Sequence, residues 1–107
     1  MRVFISQPMN GKTDEEINNR RKEIIEAVKN RYLNENIEFV YSIIDDKIDE
    51  TVNNIPVWYL GKSILLLSTA TLVCFDKNWT HARGCRIEHK ICEEYNIPIT
   101  YLSDLLN

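Results

Sequence analysis

The sequence is poor in the residues that break or staple a chain. Among its 107 residues are three glycines, three prolines and three cysteines. So little glycine and proline excludes collagen-like and Pro/Gly-rich disordered classes. No Gly-x-Gly-x-x-Gly or P-loop pattern occurs, which removes the glycine cradles that hold dinucleotides and nucleoside triphosphates. The odd set Cys74, Cys85 and Cys92 does not read as a disulfide framework, and the apolar stretch at residues 3–5 is far too short for a signal sequence. Together these point to free thiols and a cytoplasmic location. No segment approaches the ~20 apolar residues of a membrane span, so no membrane partner is expected. A basic excess is also missing. Thirteen Lys and Arg stand against sixteen Asp and Glu, a net charge of -3, which argues against nucleic acid as a partner. It leaves open a small anion held by one or two arginines. Asn78-Trp79-Thr80 matches a glycosylation sequon, which is idle in the cytoplasm.

What is present describes a globular chain. Hydrophobic residues make up 44% and charged residues 27%, which suits a packed core, and the length suits one domain spanning residues 1–107. Residues 3–5 read as a first strand, followed by a loop at residues 7–11. Thr13 with Glu16 forms a capping box, and Ile17, Ile24, Val28 and Tyr32 continue at helical spacing to about residue 33. Residues 37–41 read as a second strand, and the acidic stretch 45–50 as a solvated loop or first turn. Pro56 opens a second helix running to about residue 68. Residues 72–75 form a continuous apolar run, the pattern of a strand buried on both faces. A loop over 77–83, a third helix over 84–95 and a last strand over 97–102 complete a β-α-β-α-β-α-β order.

This alternation predicts an α/β three-layer sandwich of the flavodoxin-like or Rossmann-like kind, with a parallel sheet of at least four strands. With strand order 2-1-3-4, the order reverses between strands one and three. Ligands of such folds bind beyond the strand ends at that reversal, here among residues 6–12 and 76–84.

Two carboxylates fall in that region, Asp76 closing strand three and Glu88 within the first turns of helix three. Such a pair can divide acid, base and nucleophile roles. The plain alternatives are a glutamate favouring the helix dipole and an aspartate capping a loop. Gly84 either starts the helix or lets a ligand approach the backbone. Trp79 either stacks on a planar base or plugs the core edge. Arg83 and Arg86 either hold a phosphate or carboxylate or stand in solvent. Asp14, Glu15 and Glu16 fill the first turn of helix one and would repel a phosphate there. Cys85, His89 and Cys92 share a helical face at i, i+4 and i+7. Seven residues span about 10 Å of axis, too far for two thiolates on one tetrahedral ion, so no metal and no cofactor is expected.

Two segments carry a resemblance. One is Phe4-Ile5-Ser6-Gln7-Pro8-Met9-Asn10-Gly11-Lys12; the other runs from Phe75-Asp76 through Trp79 to Ala82-Arg83-Gly84-Cys85-Arg86-Ile87-Glu88. With these residues the chain resembles the nucleoside 2-deoxyribosyltransferase superfamily, in particular a small branch of it. The resemblance implies that Glu88, four residues after Gly84, attacks the anomeric carbon of a deoxyribose, and that Asp76 contacts the substrate and assists proton transfer to the base. It further implies a substrate site among Ser6, Gln7, Pro8, Met9, Gly11, Trp79, Arg83 and Gly84. Ala82 stands where the family's transferases carry a second acidic residue. Arg83 and Arg86 suit a 5′-phosphate, as in the nucleotide hydrolases of the superfamily.

The expected function is cleavage or transfer at the N-glycosidic bond of a nucleoside or nucleotide. The alternative is a module of the same fold that binds a nucleotide-like ligand without turning it over. A phosphoacceptor receiver is disfavoured, because no acidic residue precedes Asp14 in the loop after strand one. The second helix, residues 57–67, spreads apolar residues beyond the ~100° stripe that one sheet face needs. The surplus, including Trp58, Tyr59 and Leu66, predicts a homo-oligomer, or a cover from residues 42–54. The resemblance points to assembly as well.

Overall fold

A computed structural model describes residues 1–43 and 46–107. Asp45, the first residue of the acidic stretch, lies outside the described residues. Four strands, β1 (Arg2–Ser6), β2 (Glu38–Val40), β3 (Leu72–Phe75) and β4 (Ile99–Tyr101), form one all-parallel sheet in the expected order β2-β1-β3-β4. Helices α1 (Asp14–Arg31), α2 (Ile55–Leu67) and α3 (Arg83–Glu94) cover it, with a last short helix α4 (Leu102–Leu105) beside α1.

Right-handed crossovers fix which face each helix covers. Moving from β1 out to β2 places α1 on one face; returning to β3 and on to β4 places α2 and α3 on the other. The alternation of β1 then divides the core in two. Val3 and Ile5 pack with Ile24, Ala27 and Val28 of α1 and with Leu102. Phe4 packs with Leu67, Phe75 and Cys92 on the opposite face. β1 and β3 are buried along nearly their whole length, as a sheet covered on both sides requires.

The helix starts follow their local chemistry. The Thr13 hydroxyl accepts from the Glu16 N–H at 3.1 Å, while the Glu16 carboxylate accepts from the Thr13 N–H at 3.0 Å. A cap of this kind contributes about 1 kcal/mol. Asn54 caps α2 by accepting from the Val57 N–H at 3.0 Å, with Pro56 in the first turn. At α3 the cap position is Ala82, which has no side chain to offer.

The sequence overestimates two strands and omits two turns. β2 and β4 are three residues each, because β1 pairs with β2 only over Arg2, Val3 and Phe4, and β3 pairs with β4 only over Val73, Cys74 and Phe75. Leu102, expected in the last strand, begins α4. A 3-10 turn at Trp79–His81 interrupts the loop ahead of α3. On α2 only Ser63 and Leu67 are buried. Leu66, expected in the outward surplus, instead packs against the Phe4 cluster. Val57 is 60% and Leu65 64% exposed. Among the described residues no helix is long and apolar enough to cross a membrane.

Candidate functional site

The strand order reverses beside β1, and the chain leaves the sheet there in two directions. Neither α1 nor α3 closes the space above the strand ends, and a cleft of about 1440 Å³ results. Its walls are the loop after β1, the segment leading into α2, and the first turns of α3. Ser6, Gln7, Pro8, Met9, Arg83, Gly84 and Glu88, all expected from the sequence, line this one cleft.

Glu88 is the acid of that lining. It lies on the sixth residue of α3, beyond the first turn, so the helix dipole does not account for it. It is buried, and two hydroxyls converge on its carboxylate. Ser6 Oγ donates to Oε1 at 2.7 Å, and Ser63 Oγ donates to Oε2 at 2.5 Å. Ser6 comes from the end of β1 and points to the same face as Phe4; Ser63 comes from the buried side of α2. Three elements therefore meet on one carboxyl group, and among the described residues no cation pairs with it. Burial pushes the Glu88 carboxyl above its usual range, with the Ser63 and Ser6 hydrogen bonds pulling the other way. Its protonation thus balances desolvation against two donors that favour the anion.

Asp76 is placed differently. It follows β3 and is buried, with Oδ1 accepting from the Lys77 N–H at 2.6 Å and Oδ2 lying 3.6 Å from Arg20 Nε. It lines a smaller hollow of about 270 Å³ with Lys12, Glu16, Arg20 and Glu23. Pro8 borders both hollows. Of the two carboxylates, Glu88 lines the cleft and Asp76 the adjoining hollow, and both bear on the Cys85 thiol.

Trp79 and Gly11 are also outside the cleft lining. The Trp79 indole stacks on the His89 ring at 3.9 Å between centroids, nearly parallel at 10°, and packs against Phe75. Gly11 holds a left-handed turn with φ 78°, which accounts for its glycine on backbone grounds. Gly84 is unconstrained by the protein, since a Cβ there would meet only a Leu60 methyl at 4.0 Å. Arg86 lines the cleft, and its Nη1 donates to the Thr80 carbonyl at 2.9 Å.

The cysteine and histidine face of α3 is occupied by packing. His89 Nε2 lies 2.7 Å from the Tyr101 hydroxyl and Nδ1 3.2 Å from Glu93. Cys85, Cys74 and Cys92 are free and buried. Burial raises the Cys85 and Cys92 thiols to about 11 and Cys74 to about 12. All three stay protonated at neutral pH and are poor nucleophiles.

Two residues of the cleft carried no expectation. Ser63 reads in the sequence as part of the polar break Lys62-Ser63 in an apolar helix; a small hydroxyl at that point is the signal. Arg21 sits four residues after Ile17 and three before Ile24, on the apolar stripe of α1, where a charge needs a reason. Its Nε donates to Gln7 Oε1 at 3.1 Å, and its guanidinium lies 4.0 Å over the Tyr41 ring.

Comparison of the chain with protein-family models, curated proteins and solved structures finds no match.

Proposed function

We propose that the chain is an enzyme acting at the N-glycosidic bond of a nucleoside or nucleotide, with Glu88 as nucleophile. The observation that carries this reading is a buried carboxylate, without a cationic partner among the described residues, held by Ser6 and Ser63 in a cleft at the strand-order reversal. A carboxylate serving only the fold would be expected to sit on a helix end or an arginine. This one is aimed by two neutral donors that favour its anion against the burial that disfavours it.

In the proposed reaction a Glu88 oxygen attacks the anomeric carbon as its bond to the base nitrogen breaks. The bonding pair leaves with the base, which takes up a proton. The transition state has oxocarbenium character, and the adjacent anion stabilises it and then traps the sugar as an ester. Water or a second base then cleaves the ester and frees Glu88. The serine donors keep the carboxylate oriented and lower the cost of holding it ionised in a buried site. Asp76, in the adjoining hollow bordered by Pro8, is the group the resemblance assigns to proton transfer to the base. Ligand binding without turnover is the second reading, favoured by the Lys77 N–H and Arg20 contacts that already engage both Asp76 oxygens.

Incubating the protein with a panel of nucleosides and 5′-monophosphates, with chromatography for free base, tests the proposal. Base release by the wild type and none by Glu88→Gln supports it. Equal release by both rejects Glu88 as nucleophile, and binding without release by the wild type selects the binding module.

A further inference from the structure

Arg21 is the most deeply buried charged side chain of the cleft lining, with 5% of its surface exposed against 6% for Glu88. Its surroundings are unusual for a buried arginine. Arg2 and Arg20 both meet carboxylates, yet Arg21 forms no ion pair among the described residues. One face of its guanidinium is covered by the Tyr41 ring. One edge is fixed by Gln7, whose own amide nitrogen donates to the Ile17 carbonyl at 3.1 Å. Nη2 has only the weak acceptor Met9 Sδ at 4.0 Å. Nη1 has no hydrogen-bond partner among the described residues and is not among the buried, unpartnered atoms, so it keeps some accessible surface on a residue that lines the cleft. The protein thus buries a cation, stacks it and orients it, and among the described residues its outer nitrogens meet no oxygen acceptor. A buried charge needs a counter-charge, and the planar fork of a guanidinium matches an oxyanion with two parallel donors.

The rest of the cleft agrees. In a chain of net charge -3, its charged lining side chains are Arg21, Arg83 and Arg86 against Glu88 alone. The α3 N-terminus, uncapped by any side chain, faces the same space. Consecutive residues at the end of β1 hold the two opposite charges. Ser6 reaches Glu88 on one face of the sheet, and Gln7 reaches Arg21 on the other.

We propose that Arg21 is the anchor for an oxyanion of the ligand, so that the cleft takes an anionic nucleotide in preference to a neutral nucleoside, with Gln7 and Tyr41 as positioning residues. The anchor extends the glycosidic reading to a substrate class, and it rests on that reading only for the chemistry at the Glu88 end.

The test follows the Arg21 Nε–H resonance in isotope-labelled protein, identified by its loss in Arg21→Lys. The probes are inorganic phosphate, a nucleoside 5′-monophosphate and the parent nucleoside. Phosphate and the monophosphate should each shift this signal to saturation. The monophosphate should bind at least tenfold more tightly than the nucleoside, roughly the strength of one charge-assisted pair. Arg21→Lys should reduce that preference by about tenfold, because a point charge does not replace the fork. The inference is overturned if phosphate at about 10 mM and the monophosphate leave the signal unmoved, or if Arg21→Lys weakens both ligands alike. Should the variant not fold, the wild-type titration decides alone. A phosphate-dependent shift with no base release from any compound would reject the glycosidic reading and keep the anchor. Base release without a phosphate-dependent shift would do the reverse.

Discussion

Replacing Ser63 by alanine isolates one of the two forces acting on Glu88. The change removes a single donor, at 2.5 Å from Oε2, and leaves burial and the Ser6 bond in place. A hydrogen bond to a charged group is worth about 1.5–3 kcal/mol, and one pKa unit corresponds to about 1.4 kcal/mol. The ionised form loses that support and the protonated form loses little, so the carboxyl should titrate higher than in the wild type. The effect on stability has a definite sign. Burial already sets the folded-state pKa of Glu88 above its unfolded value. Its contribution is therefore fully present below the unfolded value and is lost as pH rises through the folded one. Ser63→Ala moves that upper limit further up, so its destabilisation relative to the wild type should grow from acid towards neutral pH. Carbon-13 NMR of labelled glutamate carboxyls across pH gives the titration directly, and urea unfolding at pH 4 and pH 7 gives the stability. A Glu88 resonance that titrates unchanged or lower in the variant would refute the account of how the carboxylate is held.

Other expectations follow from the same geometry. Glu88→Gln should remove roughly a thousandfold or more of any glycosidic activity. It should also gain stability relative to the wild type between pH 4 and pH 7, because it buries no charge; a stability gap independent of pH would contradict this. The three thiols should react slowly with a disulfide reagent at pH 8 and rapidly once the chain is unfolded, since burial raises each to about 11 or 12. Fast modification of the native protein would show the burial to be broken. The apolar side chains exposed on α2, Val57, Tyr59 and Leu65 among them, are expected to meet a second copy. Light scattering at micromolar concentration should give a mass above the monomer and Leu65→Glu should lower it, whereas a strictly monomeric wild type rejects the interface.

The fold was legible because its signals are periodic. Thr13 and Glu16, the stripe from Ile17 to Tyr32, and the run Leu72-Val73-Cys74-Phe75 each specify an element locally, and their alternation determines the topology. The short strands were less legible, since how far β2 and β4 extend depends on what β1 and β3 offer them. Much of the cleft could be placed from the loops at the strand-order reversal. Trp79 could not, because its partner is His89, ten residues on in α3. Nor was it visible that Asp76 would face Arg20 in a hollow of its own. Arg21 and Ser63 were hidden for a common reason. Each looks like an interruption of an apolar surface, and only the tertiary contact shows what the interruption serves.

Because adjacent residues of β1 point to opposite faces, the position of each site group is inseparable from the packing of the core. Inserting or deleting one residue within β1 would turn Ser6 towards α1 and Gln7 towards α3, and would at the same time exchange Phe4 with Val3 and Ile5. The strand is held by parallel ladders on both edges, so it cannot shift against one neighbour without breaking with the other. Length changes should thus be tolerated in the loop beyond Pro8 and refused before Ser6. Drift in this strand can substitute residues in place, but it cannot slide the two charges of the cleft past each other without dissolving both halves of the core.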